Sequence, residues 1–344
     1  MANELTPEGR LEIVAGVADA LADPAVVLDR RAVVAHRNGA AAAEFPALTR
    51  GSLVTMALRN PALLAAIERV RQTGKPEAVD LHQPVPNETW HRAHVAPLPG
   101  TDGQLLMTFH NLTAHRRTEQ LRSDFIANVS HELRTPLTSL VGFIDTLLGP
   151  AARDEAARER FLHIMRQQAA RMSNLIEDLL SLSRIEMRQH VRPTGSVDLG
   201  VLLREVVEGL TPRAAAEGVR IDLSGAEHAV VTGDRNELYE VFENLIDNAI
   251  KYGAEGGLAE VALGPGRKGY AYGVSVTDHG PGIAPEHVPR LTERFYRADA
   301  DASRRKKGTG LGLAIVKHIV NRHRGTLTIR SAPGEGMRVE VQLP

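Results

Sequence analysis

Apolar residues recur every three or four positions over two long stretches in the middle of the chain. The first stretch contains Leu121, Phe125, Val129, Leu133, Leu137, Leu140, Ile144 and Leu147, and the second contains Phe161, Ile164, Met165, Met172, Leu175, Ile176, Leu179 and Leu182. This spacing predicts two amphipathic α-helices, separated by a break at residues 149–157. Because two antiparallel helices with one apolar face each cannot enclose a core, we expect two chains to pair into a four-helix bundle. The protein is therefore expected to be a homodimer.

The segments on either side of these helices predict two further domains. Residues 1–112 begin with a helical pattern and continue with short apolar runs at 25–28, 32–35 and 105–109, which is typical of a small α+β domain. After a polar hinge at 188–197, we expect helices at 199–217, 235–252 and 311–323, strands at 219–223, 258–263 and 270–278, and a final hairpin. This order predicts helices on one face of a mixed sheet. The expected domains are 1–112, 113–190 and 191–344.

Composition narrows the possible functions. The 344 residues are 43% hydrophobic and 24% charged, with a net charge of -1, so no general attraction to nucleic acid is expected. The absence of cysteine excludes disulfides, thiolate metal sites and cysteine nucleophiles. No apolar run approaches the length of a membrane span. We expect a cytoplasmic chain, either a soluble sensor or a part of a longer protein that is attached to a membrane.

The stretch SHELRTPLTSL, residues 130–140, carries the first candidate chemistry. His131 lies about 200° around the helix from its apolar neighbours, so its imidazole should face solvent. Glu132 can orient or accept the Nδ1 proton, which leaves Nε2 as a nucleophile, and Thr135 lies one turn further on the same side. Pro136 cannot donate to the carbonyl of Glu132, so we expect a bend there. Taken alone, the pattern also suits an ordinary surface histidine; the remaining motifs favour the reactive interpretation.

A second candidate is the helix GDRNELYEVFENLIDNAIKYG, in which Asn244, Asn248 and Lys251 cluster away from the apolar face. Asparagine is unfavourable in the middle of a helix unless its amide makes specific contacts. Amide oxygens at i and i+4 can complete the coordination of a phosphate-bound Mg²⁺, and Lys251 can meet phosphate as a point charge. Two asparagines that merely bond to nearby backbone would give the same pattern.

Two glycine-containing segments complete the candidate site. Asp278 ends a predicted strand and is followed by Gly280 and Gly282, so a carboxylate can face a flat ligand such as adenine. A turn without any ligand is the alternative. The segment GTGLGLAIVKHIV opens a helix with three glycines, and free N–H groups at a helix start suit an anion. The polar, basic residues 293–307 between these segments suit a mobile lid or a solvated loop.

Together and in this order, these segments resemble the sensor histidine kinases of two-component signalling over residues 113–344. SHELRTPL is similar to the H box of that family, NLIDNAIKY to its N box, DHGPG and GTGLGL to its glycine boxes, and ERFYR to its F box. The run LRSDFIANVSHELRTPLTSLVGFIDTL is similar to the phosphate-regulon group. Residues 23–45 resemble the opening of a PAS sensor domain, although Asn111, Leu112 and Thr113 replace the usual Asp-x-Thr, so its coupling contact is expected to lose a charge.

The resemblance implies a multidomain α+β fold: a PAS-like domain, a hairpin that forms a dimeric bundle, and an ATP-binding α/β sandwich of the gyrase and Hsp90 type. His131 would be the phosphoacceptor, Glu132 its general base, and Thr135 would act in dephosphorylating a response-regulator partner. Asn244 and Asn248 would hold Mg²⁺, and Asp278 would read adenine. The other residues implied in ATP binding are Lys251, Tyr252, Gly280, Gly282, Arg297, Gly308, Thr309, Gly310, Leu311 and Gly312.

Two rival functions stay open. ATP-hydrolysing relatives of this fold carry a glutamate one turn before the metal-binding asparagine, where this chain has Asn244, although Glu240 and Glu243 lie nearby. A nucleotide-binding scaffold without chemistry is the other rival, and the complete set of motif residues argues against it. The input signal is not visible: His36, His82, His91 and His94 are candidate haem or metal ligands, but structural or exposed roles are commoner for single histidines.

Overall fold

The computed structural model of the chain describes residues 7–84, 88–101, 103–149, 153–188, 191–267, 269–298 and 308–344. The chain divides into two compact units, one that ends at Asp124 and one that begins at Phe125. No helix in the described ranges is both long enough and apolar enough to cross a membrane.

The first unit is built on a five-stranded antiparallel sheet with the order β2-β1-β5-β4-β3. Its strands are β1 (Ala25–Leu28), β2 (Val34–Arg37), β3 (Glu77–Gln83), β4 (Thr89–Pro97) and β5 (Leu105–Asn111), and its helices are α1 (Pro7–Asp19), α2 (Gly39–Glu44), α3 (Val54–Ala57) and α4 (Pro61–Thr73). Alternate residues of the central strands point to a core that is closed by Leu63, Ile67 and Val70 of α4. The strand predicted at 32–35 begins at Val34 instead, because Ala32 lies in a turn with φ of 61°.

Two long helices follow the first sheet. They are α5 (Thr113–Leu148) and α6 (Glu155–Met187), which is capped by the side chain of Asp154. The two predicted stripes lie on these helices, and α5 passes through Pro136 without interruption. Large apolar residues stay exposed along both helices, including Leu137 and Val141, which are 51% and 50% exposed.

The C-terminal part alternates helices and strands as predicted. Its elements are β6 (Ser196–Asp198), α7 (Leu199–Ala216), β7 (Arg220–Gly225), β8 (Val230–Thr232), α8 (Arg235–Tyr252), β9 (Leu258–Pro265), β10 (Tyr272–Asp278), α9 (Gly312–Arg322), β11 (Thr326–Ser331) and β12 (Met337–Leu343). The main sheet has the order β11-β12-β10-β9-β7 and is mixed, since β7 pairs with β9 in parallel. The pairing of β6 with β8 was not anticipated: Ser196 and Val197, expected in the hinge, lie in this short sheet.

One continuous core joins the C-terminal helices to the sheet. Phe242 and Ile246 of α8, Ile315 of α9 and Val261 of β9 are all fully buried in it. The second hairpin helix shares the same core, because Leu175, Leu182 and Ile185 of α6 belong to this cluster. The end of α6 is therefore structurally a part of the C-terminal domain.

Candidate active site

Helix α8 forms one wall of the site. The side chain of Asp234 caps its first turn by accepting from the N–H groups of Asn236 and Glu237. Its apolar residues pack into the core, which leaves Asn244 and Asn248 half-buried at the edge. The amide nitrogen of Asn244 donates to the carbonyl of Glu240 at 2.9 Å. This bond fixes the amide, so Asn244 Oδ1 points away from that carbonyl.

The start of α9 approaches Asn244 so closely that a side chain at Gly312 would force Asn244 to move. A Cβ atom built on Gly312 would lie 2.6 Å from Asn244 Oδ1, well inside normal contact distance. The backbone of the second glycine segment therefore contacts the side chain of Asn244 on α8. Since the N–H groups of the first turn of a helix attract anions, this junction is suited to a phosphate chain.

Asp278 lies at the end of the central strand β10 and is buried, with 3% of its surface exposed. Its Oδ1 accepts from the N–H of Gly280 at 2.9 Å, an Asx-type contact that fixes the carboxylate. A Cβ on Gly253, directly after α8, would lie 2.6 Å from the Cβ of Asp278. The glycine after the N box thus lets the helix end against the strand that carries the predicted adenine-reading residue.

Tyr252 and Phe295 connect the remaining motif residues. A Cβ on Gly308 would lie 3.0 Å from the Tyr252 hydroxyl, and one on Gly280 would lie 2.3 Å from the Tyr252 carbonyl. The N–H of Phe295 donates to the carbonyl of Gly310 at 2.8 Å. The F-box segment and the second glycine segment are therefore neighbours, and Tyr252 lies between both glycine segments.

Lys251 forms an ion pair with Asp247 of the same helix, a contact that was not predicted from the sequence. Lys251 Nζ is 2.5 Å from Oδ2 of Asp247, which also pairs with Arg213 at 2.8 Å. Lys251, predicted to meet phosphate, is thus already paired with a carboxylate. The i, i+4 spacing of Asp247 and Lys251 is the signal that could have found this pair.

Arg297 has polar atoms that are buried without a partner among the described residues. Both Nε and Nη2 of its guanidinium group are of this kind. Such a group is costly unless a ligand or a neighbouring residue satisfies it. Part of the predicted lid, residues 299–307, lies outside the described ranges.

The predicted phosphoacceptor His131 lies exposed on α5. The hydroxyl of Thr135 donates to the carbonyl of His131 at 3.2 Å. The carboxylate of Glu132 accepts from Arg171 of α6 at 2.9 Å. The residues predicted to bind ATP lie close together, whereas His131 has no described hydrogen bond to any of them. The hydrogen bond expected between Glu132 and the imidazole is likewise not among the described contacts, because the carboxylate turns toward α6.

The end of α6 contacts Thr309, a predicted ATP-binding residue, and Glu240 of α8. The Thr309 hydroxyl donates to Asp178 at 2.7 Å, and the Ser181 hydroxyl donates to Glu240 at 2.5 Å. Burial raises the pKa of both carboxyl groups; the bond from Thr309 opposes this for Asp178 and the bond from Ser181 for Glu240. These two hydrogen bonds join the hairpin to the asparagine helix and the second glycine segment.

Arg294 and Phe295 extend the same contact. The guanidinium group of Arg294 pairs with Glu186 and lies 5.3 Å from the ring centre of Phe125. The rings of Phe125 and Phe295 are 5.8 Å apart. Since Phe125 is on α5 and Glu186 on α6, the F-box segment touches both helices of the hairpin.

The first unit contains an unexpected coupling contact. Asp80 of β3 pairs with Arg116 in the first turns of α5 at 3.0 Å, and Arg116 also lies over the ring of Trp90. Arg92 shares the carboxylate, and these two arginines lower the pKa of Asp80, with the Arg92 hydrogen bond as the larger cause. The expectation about charge concerns Asn111, whose neutral Oδ1 accepts from the N–H of Thr113 at 2.9 Å. Asp80 supplies a carboxylate to the start of α5 from another strand, in a separate contact.

The candidate haem or metal ligands of the first unit do not assemble. His36 pairs with Asp19, His82 with Glu88, and the buried His91 with Glu44. Within the described residues, no group of three or more histidine or acidic side chains could hold a metal ion.

Two family descriptions match consecutive parts of the chain. Residues 121–188 match the His Kinase A (phospho-acceptor) domain, and residues 233–344 match the histidine kinase-, DNA gyrase B-, and HSP90-like ATPase. The fold and site thus define a phosphoacceptor hairpin joined to an ATP-binding domain. This confirms the helical hairpin and the C-terminal sandwich of the predicted fold class.

Curated relatives narrow the class to a family. The sensor-like histidine kinase SenX3 of Mycolicibacterium smegmatis is 33% identical over 285 residues, covering 81% of this chain and 73% of the relative. The phosphate regulon sensor protein PhoR of Pseudomonas aeruginosa is 42% identical over 231 residues, covering 67% of this chain. The chain belongs to the sensor histidine kinase family. It spans 52% of the length of PhoR and 61% of the SenX3 of Mycobacterium tuberculosis.

A solved structure supports the fold alone. The histidine kinase ThkA, described in complex with the response regulator protein TrrA, has a TM-score of 0.52 and 19% sequence identity. The likeness covers 96% of this chain and 97% of ThkA.

Proposed function

We propose that this chain transfers the γ-phosphoryl group of ATP to Nε2 of His131 and then to an aspartate of a response-regulator receiver domain. One observation carries the proposal: four separate motifs meet at one place through glycine contacts, with Gly312 against Asn244 and Gly253 against Asp278. An exposed histidine lies on the adjoining hairpin. Phosphoryl transfer needs positioning and charge neutralisation more than covalent chemistry, and these parts supply both.

Each side chain of the pocket has a proposed task. The fixed carboxylate of Asp278 accepts from the exocyclic amine of adenine, and Tyr252, Gly280 and Gly282 shape the space around the base. The backbone of residues 308–312 and Lys251 meet the phosphates. Arg297, whose buried Nε and Nη2 have no partner among the described residues, gains an anionic partner when ATP is present.

The residues present fit a magnesium ion. Asn244 has its nitrogen committed to Glu240, so its oxygen is the atom presented toward the phosphate-binding glycines. Together with Asn248, one turn later, it offers neutral oxygen donors of the kind Mg²⁺ takes beside phosphate. When bound, the ion would neutralise phosphate charge.

The described contacts between the ATP-binding domain and the hairpin include Thr309 with Asp178 and Phe295 with Phe125. The contacts of Asp178 and Phe125 lie seven and six residues along their helices from Arg171 and His131, which is roughly 10 Å in each case. Transfer therefore requires the domain to move along the hairpin. The predicted hinge includes Arg188 and Val191, whose carbonyls accept from Arg322. Release of Thr309 from Asp178 and of Arg322 from these carbonyls accompanies that movement.

Partners and boundaries follow from the same proposal. Apolar residues left exposed on both hairpin helices support a homodimeric four-helix bundle. The receiver domain docks around Thr138, Val141 and Asp145, and Thr135 serves a phosphatase reaction on it. The strand order of the first unit supports a PAS-like sensor over 1–112, followed by a phosphotransfer domain at 113–190 and an ATP-binding domain at 191–344, acting in the cytoplasm.

Incubation of the intact protein with γ-labelled ATP and Mg²⁺ tests the function. We expect acid-labile, alkali-stable label that is absent from His131→Ala and present in the control His163→Ala, a histidine on the other hairpin helix. Release of phosphate without labelled protein would favour an ATPase of the gyrase type. Binding of ATP with neither label nor release would favour a scaffold, and both results would overturn the proposal.

A further inference from the structure

The two hairpin helices are tied together next to the phosphoacceptor. Nη2 of Arg171 on α6 is 2.9 Å from Oε2 of Glu132 on α5, and the two side chains are 26% and 27% exposed. Other ion pairs of these helices in the described ranges either join residues of one helix, as Arg158 and Glu155 do, or leave the hairpin. Among described ion pairs, this is the one that joins α5 to α6, and it involves the residue directly after His131.

The backbone at Glu132 explains why an ion pair between the two helices matters at this residue. The carbonyl of Glu132 has Pro136 four residues later, and proline has no N–H to donate to it. One helical hydrogen bond is therefore missing in the turn that carries the reactive histidine. The ion pair fixes the side chain of a residue whose main chain is less constrained than its neighbours.

We propose that Arg171 is a positioning residue for the autophosphorylation of His131. The inference rests on the proposed function, with Glu132 as the general base. A carboxylate has two oxygens, and Arg171 engages Oε2 while the carboxylate is turned toward α6. The other oxygen, Oε1, takes the Nδ1 proton once the imidazole of His131 meets it during transfer. Holding one oxygen restricts the rotamers of the glutamate to those on the α6 side of His131.

The chemical step is balanced without a further reagent. Nε2 of His131 forms a bond to the γ-phosphorus of ATP, while the bond from that phosphorus to the bridging oxygen breaks. The electron pair of the broken bond leaves on ADP. Glu132 takes the Nδ1 proton, and Arg171 remains on the opposite oxygen of the carboxylate throughout.

The identity of the cation also matters. Arginine presents a planar fork that fixes the direction of a carboxylate, whereas lysine presents a single rotatable ammonium group. Arg171→Lys keeps the charge and part of the reach, and should rescue part of the rate. Arg171→Gln keeps the length and loses the ion pair.

The experiment measures the initial rate of His131 labelling at several ATP concentrations in the intact chain of 344 residues. We expect Arg171→Gln to lower the maximal rate about tenfold with little change in the KM for ATP, the pattern of lost alignment rather than lost binding. Arg171→Lys should recover roughly a third to a half of the parent rate, because the charge survives without the fork. Arg166→Gln, on an exposed arginine of the same helix, is the matched control and should stay within about twofold.

A double variant separates positioning from a general weakening of the hairpin. Glu132→Gln should lower the rate roughly a hundredfold, as expected for loss of a general base. Glu132→Gln combined with Arg171→Gln should be no slower than Glu132→Gln alone, because Arg171 acts through Glu132. A further loss in the double variant would mean that Arg171 has only a structural role, and would overturn the inference.

The outcomes also separate this inference from the function beneath it. Absence of label in the parent protein would overturn both the proposed kinase activity and the proposed role of Arg171. If the parent and Glu132→Gln are labelled equally fast, Glu132 is not the general base, and the proposed role of Arg171 is refuted with it. If Glu132→Gln lowers the labelling rate and Arg171→Gln does not, the role of Arg171 is refuted while the proposed kinase activity stands.

Discussion

The hairpin and the ATP-binding domain contain helices of similar character but bury them to very different extents. Helix α8 has 18 residues and buries seven apolar side chains, whereas α5 has 36 residues and buries only Pro136 within one chain. Both helices have an apolar face. The difference teaches that α8 finds its covering sheet within its own chain, while α5 presents an apolar face that the proposed four-helix bundle would cover with a second chain.

The largest effect is expected when the apolar face of α5 is disrupted. Leu137 and Ile144, 51% and 43% exposed, lie two turns apart on that face. Changing both to glutamate places four charges in a symmetric interface and should weaken the dimer at least a thousandfold, since each buried leucine is worth about 1.5–3 kcal/mol. Sedimentation equilibrium measures the effect. Val201→Glu, at an exposed apolar position of α7, should leave the dimer intact; an unchanged mass for the double variant would refute the proposed bundle.

The next test concerns a hairpin residue that behaves like a domain-core residue. Leu182 is 1% exposed and belongs to the core shared with the ATP-binding domain, whereas Leu180 on the same helix is 55% exposed. Leu182→Ala should cost about 2–5 kcal/mol of unfolding free energy at any protein concentration. Leu180→Ala should lose stability only through dimer dissociation. Urea unfolding at two protein concentrations distinguishes them, and equal behaviour would contradict the contrast.

A smaller effect is expected at the start of α8. Asp234→Ala removes the side chain that accepts from two N–H groups of the first turn, which should cost about 1 kcal/mol. Asn236→Ala, in the same turn and without a capping role, should be close to neutral. Urea midpoints measure both changes. A cost for Asn236→Ala as large as that for Asp234→Ala would contradict the assigned cap.

The smallest effect depends on pH and lies where the two regions meet. Burial raises the pKa of Asp178, so the folded state holds its proton more tightly than the unfolded state does. The stability this provides is fully present below the unfolded pKa and is lost as the pH rises through the raised value. Asp178→Asn keeps an acceptor for Thr309 and removes the charge. It should therefore stabilise the protein at pH 8 by about 0.5 kcal/mol, the scale of changes outside the core, and by less at pH 5.

Urea unfolding at both pH values tests this prediction. Glu159→Gln, at an exposed carboxylate of the same helix, is the control and should show no such dependence. A stabilisation by Asp178→Asn that is equal at pH 5 and pH 8 would show that burial of the charge is not its cause.

Sequence periodicity anticipated the elements that bury one face. The limits of α8 and its cap at Asp234 were predicted to the residue, because the apolar repeat and the capping residue agree. Strands of three residues, such as β6 and β8, carry too few positions to show any period. The start of β2 was misplaced because nothing in the apolar run 32–35 reveals the positive φ of Ala32.

The candidate site shows a similar division. The motif residues were identified because their types and order are distinctive, and the close approach of Gly312 to Asn244 accounts for one of the glycines. The partners of the charged residues were not predicted. Arg171 lies 39 positions from Glu132 and Asp178 lies 131 positions from Thr309, so neither pair has a local signal. Such pairs depend on how helices pack, which periodicity alone does not specify.

The sharing of Leu175, Leu182 and Ile185 with the ATP-binding domain also bears on how such proteins diversify. In this chain, a crossover placed after α6 would separate one hydrophobic core between two parents. A crossover on the N-terminal side of Leu175 would transfer that core whole. Recombination that preserves a working kinase should therefore favour crossovers in the part of α6 that precedes Leu175.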